Sequence, residues 1–326
     1  MGIGWQNAVI ALGIALTAVI YLHLSTAHTQ KLAQEHTNQM YHLSYVPGFF
    51  KHDQQPTGPG FRAKTLPALG LLDRTYETDP DFDPHREKSQ WERFGNYVAH
   101  LNRASSKVQY KVFYITRHGK GLHNVKEDEV GRAEWEAYWS RLDGDATKEW
   151  IDARLTEQGV KQVEYLRDFW RHAFSHSQVP PPERYYTSPL TRCLETVQIS
   201  FTDLDLPENR PFRPIIKETL RERFGVHTCT KRSTRASIAS RYPGWEIEPG
   251  FAESDELWQP ARRETEEELK NRLLSFLNDI SQDHATIISL TTHSWAIRGL
   301  YEAIGHPNVW PDAGHITPLF VRVESG

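Results

Sequence analysis

Cysteine is scarce in this chain: Cys193 and Cys229 are the only two among 326 residues, so no disulfide framework holds the fold. Asn-X-Ser/Thr sequons are missing, and with so few cysteines their absence argues against a secreted, glycosylated protein. Positive charge is not in excess either. Lys and Arg number 38 against 42 Asp and Glu, for a net charge of −4 and a pI near 6.5. Without a basic footprint, nucleic acid is not an expected partner. A mean hydropathy of −0.61 argues against a polytopic membrane protein, and no internal repeat or low-complexity block is present. Aromatic bulk, in contrast, is ample: 10 Trp, 14 Phe and 13 Tyr suit a sizeable core. The length allows one large domain or two ordinary ones.

One long hydrophobic run exists, AVIALGIALTAVIYLHL at 8–24. It is at the short edge of a bilayer span, which needs about 20 residues. No Lys or Arg precedes it, so the basic n-region of a secretory signal is missing. The first lysine, Lys31, follows it, which favours a cytoplasmic location for that side. We expect a single-span membrane anchor over 1–27 with the remainder cytoplasmic. A cleaved signal ending near Ser25-Thr26-Ala27 and a buried core helix are the alternatives.

Residues 28–107 are polar and punctuated by Pro and Gly, as in QQPTGPGF and DPDFDPH, with a short helix expected over 90–102. Their apolar content suits a wrapping extension better than a separate core. From 108 to 326 the pattern changes. KVFYIT (111–116), RYYTS (184–188), PIIKETL (214–220) and ATIISLTT (285–292) read as strands. Between them, Val160, Val163, Leu166 and Trp170 follow helical spacing after a Thr156 N-cap, as do Leu269, Leu273, Leu277 and Ile280 after an acidic start. Another helix is expected from Trp295. Alternation of strands and helices implies an α/β fold with a mainly parallel sheet covered on both faces, a three-layer α/β/α sandwich.

Several strand ends carry polar groups: Arg117-His118-Gly119, Ser188 to Arg192, Glu222 in LRERFG, and Thr292-His293-Ser294. In an open α/β sheet the ligand crevice lies at the carboxyl ends of the strands, so these segments can converge. Two histidines, two arginines and a carboxylate suit phosphoryl transfer. A neutral imidazole is a competent nucleophile, guanidinium forks match phosphoryl oxygens, and a carboxylic acid can protonate the leaving oxygen. A glycine at 119 would let the backbone approach the phosphate. With arginines and a second histidine supplying positive charge, neither metal nor cofactor is called for.

The motifs TRHGKGLHN (116–124), LTEQGVKQ (155–162), YYTSPLTRCLET (186–196), LRERFGVHTC (220–229) and ISLTTHS (288–294) resemble, in order, those of the histidine phosphatase superfamily with its phosphoglycerate mutase-like fold. The likeness is greatest to fungal phosphoglycerate-mutase-like phosphatases with an N-terminal extension. That resemblance implies His118 as the phosphorylated nucleophile, Arg117, Arg192 and His293 as the phosphate clamp, Glu222 as acid and base, and Asn124 near the phosphate. A small phosphorylated substrate is then the partner. Metal-independent hydrolysis of phosphate esters is the expected activity. A phosphoglycerate mutase-type transferase, a phosphatase of a specialised metabolite such as an isoprenoid phosphate, and an inactive membrane-tethered phosphate-binding module are the alternatives.

Other residues carry two readings. Glu218 and Glu253 rival Glu222. Lys231 and Arg232, in TKRSTR (230–235), either reach a substrate's distal anion or belong to a solvated loop. His172 and His176 have the spacing of a zinc pair but no third ligand, so they read as exposed helix residues. Both cysteines read as packing residues, and Trp135, Trp139 and Trp150 as core or pocket wall. At two positions the chain departs from the family's pattern. Lys120 stands where glutamate is common, and either favours a more anionic substrate or points away. Trp295 stands where a glycine often follows His-Ser, and either fills space at the helix start or lines the pocket for a substrate with an apolar body.

Overall fold

Seven strands form one sheet in the computed structural model, and the four runs read as strands in the sequence are among them. The strands are β1 (Tyr41–Tyr45), β2 (Val108–Arg117), β3 (Arg184–Thr187), β4 (Pro214–Ile216), β5 (Glu246–Ile247), β6 (Ile287–Thr292) and β7 (Ile316–Ser325), ordered β1-β7-β2-β6-β3-β4-β5. The structure describes residues 40–54 and 60–326. The apolar run 8–24 lies outside them, and no helix among the described residues is long and apolar enough to cross a membrane. Pairing is parallel from β2 through β6, β3 and β4 to β5, whereas β7 runs antiparallel to β2. The sheet is therefore mainly parallel, as expected.

Helices cover both faces. The long ones are α1 (Gln90–Ala104), α2 (Leu122–Val130), α3 (Arg132–Ala137), α4 (Glu157–Ser175), α5 (Thr191–Phe201), α6 (Arg235–Arg241), α7 (Glu266–Ser281) and α8 (Ser294–Ile304). Successive strand residues point to opposite faces, and β3 shows the consequence. Tyr185 packs on Phe201 of α5, while its neighbour Tyr186 packs on Phe276 of α7. α4 starts where Thr156 Oγ1 accepts from Gly159 N, at 2.9 Å, and α7 starts with a capping box between Thr265 and Glu268.

The polar N-terminal stretch contributes more apolar surface than its composition suggests. Phe49, Phe50, Trp91, Phe94 and Val98 share one buried cluster with Val112 and Tyr114 of β2, Trp170 of α4 and Phe320 of β7. Two expectations need adjusting. The third predicted strand stops at Ile216, because Glu218–Leu220 turns into a single 3-10 turn. β1, β5, β7, α2, α3, α5 and α6 were not expected from sequence at all.

Candidate active site

The ladder between β2 and β6 places the first two functional groups. Arg117 pairs with Thr292, and one residue further on His118 N donates to Thr292 O at 3.0 Å. His118 and His293 thus leave adjacent strand ends together, their rings edge-on with centroids 5.0 Å apart. On the other side of β6, β3 leads through Ser188 into the first turn of α5, which carries Arg192. β4 and its following turn carry Glu222. These parallel strands end at one place, as the open-sheet argument requires.

His118 is almost completely buried and held from both sides. Its Nδ1 lies 2.7 Å from Gly119 O, and Arg192 Nε donates to its Nε2 at 3.2 Å. A carbonyl can only accept and a guanidinium only donate. The imidazole is therefore neutral, with its proton on Nδ1 and its lone pair on Nε2. Burial, followed by the charges of Arg192 and Arg117, holds its pKa well below 6.5. Arg192, itself 1% exposed, is fixed by donating from Nη1 to Cys229 O at 2.8 Å. Arg117 donates to Pro311 O at 3.1 Å, and its Nε is buried without a protein partner. Thr196 ties the two motifs together, accepting from Gly119 N and donating to Arg192 O.

Gly119 also has a reason that its sequence context does not show. A Cβ there would stand 2.7 Å from Gly159 O, and a Cβ on Gly159 would stand 2.2 Å from Lys120 O. The two motif glycines allow the loop after β2 to pass against the first turn of α4. The glycine serves that close backbone crossing.

A cavity of about 610 Å³ opens above His118. Five arginines line it (Arg62, Arg117, Arg132, Arg192 and Arg263) against three carboxylates (Glu127, Asp128 and Glu222). That leaves two positive charges with Glu222 ionised and three with it protonated, an excess that suits a phosphoryl dianion. Glu127 is paired with Arg132 at 2.7 Å and Asp128 with Lys120 at 2.6 Å. Glu222 is engaged instead by backbone, accepting from Arg223 N at 2.8 Å, with Trp295 N at 3.5 Å across the start of α8. Its rivals are elsewhere: Glu218 is bound to Arg221 and Arg232, and Glu253 accepts from Ala236 N. Asn124 lines the cavity, and its Oδ1 accepts from Gly121 N at 3.0 Å, which leaves its amide N–H groups for other partners. His293 stands behind His118, not on the cavity wall, with Nε2 2.8 Å from Ser188 Oγ and 3.3 Å from Cys193 Sγ.

Three expected pocket residues are not on its wall. Lys120 turns its ammonium to Asp128 on α2, so the sequence departure is neutralised locally. Lys231 lies over the Trp258 ring. Arg232 is buried, donating to Glu218, Ala252 O and Ser254 O, a structural ion pair with no capacity left for a substrate. Trp295 does line the cavity, with its edge against Trp310 at 5.5 Å and Arg223 and Arg298 over its ring. His172 and His176 are exposed and stacked on each other. Both thiols are buried and burial raises them, Cys229 to about 11.

The cavity also holds residues that the sequence reading missed. His123 and His227 lie inside the GLHN and FGVHTC motifs, so their signal was present. Arg62 and Trp310 sit in loops with no motif. His227 is 2.8 Å from Glu136 and contacts Arg263, and burial with the nearby Arg263 charge lowers its pKa to about 4. Among the described residues no group of three His, Cys, Asp or Glu is arranged to hold a metal ion.

The chain is 44% identical over 284 residues to a protein of Arthroderma benhamiae named "Probable phosphoglycerate mutase", covering 86% of this chain and 84% of that one. It is 33% identical over 217 residues to "Phosphomutase-like protein 3" of Candida albicans, covering 66% of each. Among solved structures it is similar to the alpha-ribazole phosphatase of Shigella flexneri, with a TM-score of 0.39, 16% identity, and coverage of 64% of this chain and 89% of that one. Residues 113–312 match the histidine phosphatase superfamily (branch 1), and the chain is an enzyme of that family.

Proposed function

We propose that the protein hydrolyses phosphate monoesters through a phosphohistidine at His118, without a metal cofactor. The observation that carries this is the tautomer lock: a neutral imidazole whose Nε2 lone pair is held by a cation at the floor of a cavity in which arginines outnumber carboxylates. In this reading a phosphoryl group enters and Arg192 transfers its hydrogen bond from Nε2 to a phosphoryl oxygen, joining Arg117. Nε2 attacks phosphorus and the bond to the leaving oxygen breaks. Glu222, protonated, gives that oxygen its proton, a contribution of about 10²–10⁴-fold. Water then attacks phosphorus, Glu222 takes its proton, and the N–P bond breaks. His293 keeps His118 in place from behind. Asn124 offers its amide N–H to the phosphate.

A broad panel of phosphate esters, with metal chelated, tests this. Turnover should persist in chelator and vanish in His118→Ala, and a phosphoryl adduct should appear on the peptide carrying His118. Full activity in His118→Ala would remove the mechanism. A second reading is favoured by the names of the relatives: transfer of the phosphoryl group back to another hydroxyl of phosphoglycerate. Isomerisation of 3-phosphoglycerate without release of free phosphate would replace the hydrolytic reading. Trp295 and Trp310 give the wall an apolar part, which suits a leaving group with an apolar body such as an isoprenoid. Trp295→Gly should then slow turnover of apolar phosphates selectively. The apolar run 8–24 supports membrane tethering, and retention of the full chain in an alkaline-washed membrane pellet tests it.

A further inference from the structure

His123 is not used by the mechanism above, yet it lies in the same cavity, its ring centroid 5.7 Å from that of His118. It is 8% exposed. Neither ring nitrogen has a hydrogen-bond partner among the described residues. Nδ1 is sealed from solvent, whereas Nε2 is not among the sealed, unpaired atoms. The orientation is imposed by Gly121: a Cβ there would stand 2.8 Å from Nδ1 and 2.9 Å from Cε1, so the ring packs that edge over the glycine backbone.

A sealed imidazole N–H without a partner costs more than a sealed lone pair, because orphaned buried donors are rarer and dearer than under-used acceptors. The favoured tautomer therefore keeps the lone pair on Nδ1 and the proton on Nε2. The ring is also neutral: burial, and then the Arg192 charge, lower its pKa well below 6.5. If packing alone were required, an apolar ring would fill the site without an unpaired polar edge. A partner that arrives with the ligand resolves this.

We propose that His123 is a further substrate-contacting residue, whose Nε2–H donates to an oxygen of the phosphoryl group bound at His118. This rests on the phosphohistidine reading. The donor adds no charge, so the phosphate gains a hydrogen bond while the charge balance of the cavity is unaltered. The contact is with the phosphoryl group, so its loss affects esters of different leaving groups equally.

Inorganic phosphate is the probe. A hydrogen bond to a charged group implies that His123→Phe raises the dissociation constant for phosphate about 10–100-fold. His123→Gln, which restores an N–H, should recover part of that loss, and kcat/KM should fall by a similar factor across the ester panel. In the wild-type enzyme, nitrogen-detected NMR should show the Nε2–H tautomer for His123, with a shift on phosphate addition. Wild-type phosphate affinity in a folded His123→Phe variant, or a His123 signal unmoved by saturating phosphate, overturns the inference. The parent reading fails separately, if the wild-type enzyme binds no phosphate or His118→Ala retains turnover.

Discussion

At His118 two hydrogen bonds decide the protonation state, and they make a pH prediction. The nucleophile needs a free Nε2, and its pKa is held below 6.5 by burial and by Arg192 and Arg117. The acid limb of kcat/KM should therefore lie below pH 6.5. Arg192→Gln removes the first-named of the two cations, so the His118 pKa rises and the acid limb moves up towards 6.5. The same variant loses a donor to the transferring phosphoryl group, an effect on the order of 10²–10³-fold in kcat. Paired pH profiles on one substrate check this, because ionisation of the substrate is common to both; an unmoved limb would show that Arg192 does not set the nucleophile's charge. His118, Arg117 and Arg192 were legible in the sequence because each sits inside a motif at a strand end. Lys120 stayed two-sided at the same scale: its position is in the motif, but the carboxylate that absorbs its charge, Asp128, lies two helical turns further on, where sequence gives no pairing. Arg62 was illegible for the opposite reason, since a polar extension gives no sign of which cation returns to the pocket.

At the scale of elements, α5 begins without a cap of its own, for Leu190 offers no side-chain acceptor. Asp152 supplies it from 39 residues away. Its carboxylate accepts from Thr191 N and Thr191 Oγ1, both at 2.8 Å, and from Ser233 N and Oγ. The backbone at Asp152 takes a left-handed conformation, φ 40°, to present it. This knot holds the turn that carries Arg192. Asp152→Asn keeps the shape but sets an N–H₂ among four donors, so it should cost about 1–3 kcal/mol of stability and lower kcat through a displaced Arg192. Chemical denaturation and kinetics on one preparation test this; a variant unchanged in both would remove Asp152 as the cap. The amphipathic helices α4 and α7 were readable because their periodicity and their caps agree. β7 was not, because Ile316 to Val321 are all buried, which erases the alternation, and Pro318 interrupts the run. α2 was hidden by a polar face of Lys, Glu and Asp that leaves little apolar stripe.

At the scale of the whole molecule, a neutral histidine, His315, holds separate segments together. Thr65 N donates to His315 Nδ1 at 3.0 Å, which joins the N-terminal extension to the start of β7. An N–H donor requires a lone pair there, so protonation on Nδ1 breaks the contact. His52 has its Nε2 at Lys64 O, within the same extension. Burial lowers the pKa of His52, His118, His123, His293 and His315 below 6.5. The sign follows from linkage: below pH 6.5 the unfolded chain takes up protons that the native state refuses, so stability falls as pH falls. Each such group removes up to about 1.4 kcal/mol per pH unit until its native pKa is reached. Carboxylates raised by burial, Asp152 and Glu248, act in the opposite sense, but only as pH drops through their own native pKa values, above the ordinary carboxylate range. Between pH 7 and 5.5 the five histidines outnumber these two carboxylates, which sets the expected direction. The urea midpoint should therefore decrease over that interval, and His315→Gln, which cannot be protonated, should show a shallower decrease than wild type. A midpoint independent of pH across this window would mean that the histidines titrate alike in both states, and the tautomer arguments for His118 and His315 would fall together.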